Sequence, residues 1–95
     1  MICIRANLVA GSHERFPGGT SVAALLIVQA EDLDAAEDIA GKALADHGWA
    51  TMEIERVKTV TDYSQFEDRD DVVGQAFHDA KAFGFGHVIY PEPGA

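Results

Sequence analysis

Four histidines, one cysteine and two runs of carboxylates are the groups in this chain that could do chemistry. His13, His47, His78 and His87 could act as bases or metal ligands. Their spacing supports neither role: no two stand four apart on a helical pattern, and no Cys-x-x-Cys accompanies them. Cys3 lies between Ile2 and Ile4, where a small half-buried thiol needs no further role, and a nucleophile would need an activating base beside it. Asp68, Asp70 and Asp71 resemble the start of a calcium loop, but they lack the following glycine and the glutamate at the twelfth position. Gly18-Gly19-Thr20-Ser21 resembles a phosphate loop, but a strand rather than a helix follows it and it contains no lysine. The remaining catalytic option is a His–Asp acid/base pair within a cavity, with His13 or His87 as the base. The chain therefore reads first as non-catalytic, with no cofactor and no metal expected.

The carboxylates cluster. Glu31, Asp32, Asp34, Glu37 and Asp38 form one run, and Asp62, Glu67, Asp68, Asp70 and Asp71 form another. Each run stands at or just before an expected helix N-terminus, where acids cap free amides and complement the helix dipole. Capping alone accounts for them. If both helices join parallel strands, however, their N-termini share one rim of the sheet, and Glu31, Asp34, Asp68 and Asp71 make an acidic rim for a basic partner or a divalent cation. On either reading, phosphate is disfavoured at these helix ends.

The formal charge of −9 on 95 residues points the same way. Seven scattered basic residues cannot form the cationic stripe that nucleic acid requires, and an anionic membrane surface would repel the chain. A basic protein is the charge-compatible partner, and solubility is the plainer explanation. The apolar run from Val22 to Val28 is far shorter than the roughly 20 residues of a membrane span. The first residues lack the pattern of a secretory signal, so a cytoplasmic location is expected. A single cysteine excludes an internal disulfide framework.

These groups must be positioned by one domain, residues 1–95, with 91–95 a frayed tail. Residues 2–9 alternate with period two and read as a strand. Residues 10–21 form a Gly/Pro loop, with Arg15 and Phe16 at its tip for partner contact. Residues 22–30 do not alternate, which predicts a central strand buried on both faces. A helix follows over about 33–47, with Asp32 as N-cap, a close-packing face of Leu33, Ala36, Ala40, Ala43 and Leu44, and Gly48 as the left-handed stop. Residues 51–60 form a third strand, whose apolar phase slips near Glu55-Arg56 as a bulge would make it. After a polar connection, a second helix spans about 70–83, burying Val73, Ala76, Phe77, Ala80 and Phe83. A short strand, FGHVIY, closes the chain. The segments 46–50 and 82–86 echo each other as helix end, glycine, aromatic, small residue and strand, which suggests one local solution used twice.

The order ββαβαβ predicts an α+β fold. It would be a two-layer α/β sandwich with a four-stranded mixed sheet and both helices on one face, related to ferredoxin-like folds without sharing their standard order. The second strand, apolar on both sides, then needs cover on its other face. A homodimer packed sheet to sheet is the simplest solution, and the 10–21 loop is the alternative. Three functions fit: a homodimeric protein-interaction or regulatory module, a small enzyme or ligand-binding protein with a cavity at a dimer interface, and an inhibitor or immunity-type protein for a basic partner.

Overall fold

The computed structural model describes residues 1–12, 15–61 and 63–90. His13, Asp62 and the 91–95 tail lie outside the described residues. The fold is α+β, with a four-stranded sheet in the order β3-β1-β2-β4. Its strands are β1 (Ile2–Ala10), β2 (Ser21–Val28), β3 (Trp49–Thr59) and β4 (Phe85–Tyr90). Helix α1 (Leu33–Asp46) joins β2 to β3. The one-turn helix α2 (Ser64–Glu67) and helix α3 (Val72–Phe83) join β3 to β4.

The sheet is antiparallel throughout, not mixed. Strands β2 and β3 do run in the same direction, as the connection through α1 implies. The β1–β2 hairpin, however, leaves β1 between them, so every hydrogen-bonded neighbour is antiparallel. Strand β4 then adds to the free edge of β2. The slip in β3 is a bulge: Arg5 pairs with Arg56 and Ala6 with Ile54, which leaves Glu55 as the extra residue.

The helices lie on opposite faces of the sheet, not on one. Ile2, Ile4, Ala6 and Leu8 of β1, with Val22, Ala24, Leu26 and Val28 of β2, form one core with Ala36, Ala40 and Leu44 of α1. On the other face, Ile27 of β2 and Val88 of β4 pack with Ala76, Phe77 and Ala80 of α3, and Leu25 packs against this second core. The lack of alternation in β2 has this cause. Its even residues meet α1 and its odd ones meet α3, because side chains alternate across a strand. A strand apolar on both sides is thus covered within one chain.

Local chemistry explains the helix ends. The Asp32 carboxylate accepts from the Ala35 amide at 2.8 Å and starts α1. Asp71 accepts from the Gly74 amide at 3.1 Å and starts α3. Gly48 and Gly84 both take φ near +90° after a helix, a conformation that L side chains rarely adopt. The aromatics that follow them, Trp49 and Phe85, both turn into the α1-side core, so Trp49 packs on the side of the helix it follows and Phe85 on the face opposite α3; the two connections share the glycine but not the packing.

Two expectations about the last third of the chain need correction. Helix α2 occupies what reads as a polar connection, because Tyr63 and Phe66, three residues apart, both fold onto the Phe77 ring. Phe83 is not in the buried face of α3 but 83% exposed. Gly84 then takes a left-handed turn into β4, whose first residue, Phe85, pairs with Val28.

Candidate functional site

The two acidic helix starts do not form one rim. Gly84, at the end of α3, accepts from the Gln29 amide at 3.0 Å, which places the end of α3 beside the lead into α1. Helix α3 therefore begins about 18 Å of helix away from that corner and on the other face of the sheet. Glu31 and Asp34 are exposed at the start of α1, and Asp68 and Asp71 are exposed at the distant start of α3. Asp71 is also engaged within the chain. The Arg69 guanidinium donates to it through Nε at 3.0 Å and forms an ion pair through its terminal nitrogen. The Arg69 contact, with help from the Gly74 amide, holds the Asp71 carboxyl down at about 2.

The loop aromatic is likewise engaged. Phe16, expected at the loop tip for a partner, is half-buried, its ring centre 5.5 Å from that of Trp49, which is itself only 5% exposed. Arg15 beside it is exposed. The loop is thus a flap on the α1-side core, tied down where the Gly11 amide donates to Gly48. Cys3 is half-buried on the α3 side of the sheet. Burial pushes its thiol up, against the pull of the terminal ammonium and Lys58. A raised thiol is a poor nucleophile at neutral pH.

Three features emerge that sequence reasoning missed. The first is the corner where α3 ends and α1 begins, which carries exposed Phe83 together with exposed Leu33 and the acids Glu31, Asp32, Asp34 and Asp38. The second is the half of the α3-side face formed by β1 and β3. There Arg5 stands directly opposite Arg56, and Lys58 opposite Cys3, so three of the chain's seven basic residues share one surface. The period-two phases of both strands carried this signal, but only the register brings the two phases together. The third is a pair of imidazoles. His87 on edge strand β4 faces the α1 side, opposite Leu26, with its ring 5.5 Å from His47 at the α1 C-cap. The ring of Phe85 stacks on His87 from the same strand.

No helix is long and apolar enough to cross a membrane, among the described residues. No family model, curated protein or solved structure matches the chain.

Proposed function

We propose that the protein is a non-catalytic protein-interaction module that docks a basic partner at the corner where α3 ends and α1 begins. One observation carries this reading: Phe83, a large apolar ring on the last turn of α3, is 83% exposed. Exposed aromatics on ordered elements are the usual anchors of interfaces, and charge around them selects the partner. Four exposed acids, Glu31, Asp32, Asp34 and Asp38, stand at the start of α1, against one basic residue, Lys81, in the last turn of α3. The fitting partner is a lysine- or arginine-rich protein surface with an apolar pocket for the ring.

Sheet-to-sheet homodimerisation has less support than the sequence pattern suggests. Both faces of β2 are covered within the chain, and a twofold through the open β1–β3 half-face would set Arg5, Arg56 and Lys58 against themselves. The same cover weakens the motive for a cavity at such an interface.

The test is a quantitative binding measurement with a basic partner captured from the protein's own cell extract. Phe83→Ala should weaken that complex by tenfold or more. Glu31→Gln with Asp34→Asn should slow association and flatten its dependence on salt. Unchanged affinity in Phe83→Ala would remove the proposal.

A further inference from the structure

We propose that His47 and His87 form a two-imidazole site for a borderline transition-metal dication of the zinc class. The two residues are forty positions apart in the chain, yet their ring centres are 5.5 Å apart, with the planes tilted by 37°. That spacing leaves room for a shared metal once a nitrogen of each ring is turned towards the other. With a metal–nitrogen distance of about 2.0–2.1 Å, each ring centre lies about 3.2 Å from the ion, and a tetrahedral angle then puts the two centres about 5.2 Å apart.

The surroundings favour a cation at this point. His47 is the C-cap of α1, and the last turn of that helix contains no basic residue to balance the negative end of its dipole. An ion held by His47 would sit beside the terminal carbonyls and supply that charge. His87 is half-buried, and the Phe85 ring stacked on it limits the orientations its imidazole can take, which lowers the ordering cost of binding. Imidazole nitrogen suits zinc, nickel and cupric ions and discriminates against magnesium and calcium, which prefer oxygen ligands. Among the described residues, no group of three or more His, Cys, Asp or Glu side chains is arranged around a metal. The described residues therefore supply two ligands, and water completes the shell. Such an ion would staple the end of α1 to the edge strand β4.

The experiment is a titration of the full chain with zinc chloride alone, read by competition against a chromophoric chelator and by NMR of the imidazole nitrogens. The expected result is one ion per chain, with the His47 and His87 resonances moving together to the same saturation point. His47→Asn and His87→Asn should each weaken binding at least tenfold. His78→Asn, on exposed α3 across the sheet, should leave it unchanged. Absence of one-to-one binding, movement of only one of the two resonances, or equal weakening by His78→Asn would overturn the proposal. The wild-type NMR readout decides the matter even if a variant fails to fold.

Discussion

Gly86 of β4 lies directly against the backbone of Ala76 in α3: a Cβ at position 86 would come within 1.9 Å of the Ala76 carbonyl oxygen. That oxygen belongs to a helix and cannot swing aside as a flexible side chain would. The contact sets how closely α3 approaches the sheet. Gly86→Ala should therefore force the layers apart and cost about 1–3 kcal/mol, the usual range for overpacking. For a chain of this size the melting temperature should fall by about 4–8 °C per kcal/mol. Thermal denaturation followed by circular dichroism checks this, and an unchanged melting point would mean that the layers are not closely packed there.

Phe77 and Phe83 lie on the same helix and should behave in opposite ways. Phe77 is fully buried, stacked on Phe66 with ring centres 5.2 Å apart and tilted against Tyr63. Phe77→Ala should cost about 3–5 kcal/mol through lost burial and the cavity left behind. Phe83→Ala should stay within about 0.5 kcal/mol of wild type, because its ring is already in water. Urea titration of both variants makes the comparison. A large loss at Phe83 would show that it is structural and would weaken its assignment as a docking anchor.

The Asp71 carboxyl sits at about 2 in the folded chain, below its ordinary 3.8. A depressed folded value means that the ionised form stabilises the fold. This contribution is complete above about pH 4 and is lost as the pH falls from there towards 2. Asp71→Asn keeps a capping side chain but removes the charge that Arg69 contacts. The variant should melt below wild type at neutral pH, and the gap should close on acidification to about pH 2. A gap independent of pH would show that the ion pair contributes nothing.

Arg5 and Arg56 face each other across β1 and β3 on an open surface, and directly opposed like charges destabilise a strand pair. Arg56→Glu should turn this repulsion into attraction and raise stability by about 0.2–1 kcal/mol. The gain should shrink in high salt, which screens exposed charges. Denaturation at two ionic strengths checks both the sign and the cause.

The sequence carried most of the short-range physics, the one-turn helix α2 excepted. Period two marked β1, the 3.6-residue repeat marked α1 and α3, and a carboxylate and glycines marked the helix ends at Asp32, Gly48 and Gly84, while the N-cap of α3 at Asp71 was placed only by the structure. Even the Glu55 bulge was legible, as a slip of apolar phase. Each of these depends on interactions within a few residues, so each leaves a local pattern. The unbroken apolar run of β2 also stated correctly that the strand is central and buried on both sides.

The tertiary structure alone decided what covers β2 and which distant residues meet. An apolar side chain records that it is buried, not what buries it, so the pattern fits a dimer mate as well as a helix of the same chain. Helix α3 crosses the second face and returns β4 to the far edge. That one choice of path separates the two acidic helix starts, leaves Phe83 exposed and brings His87 beside His47. Strand order is set by the global competition to cover apolar faces. No local spacing encodes it, and the candidate sites depend on it.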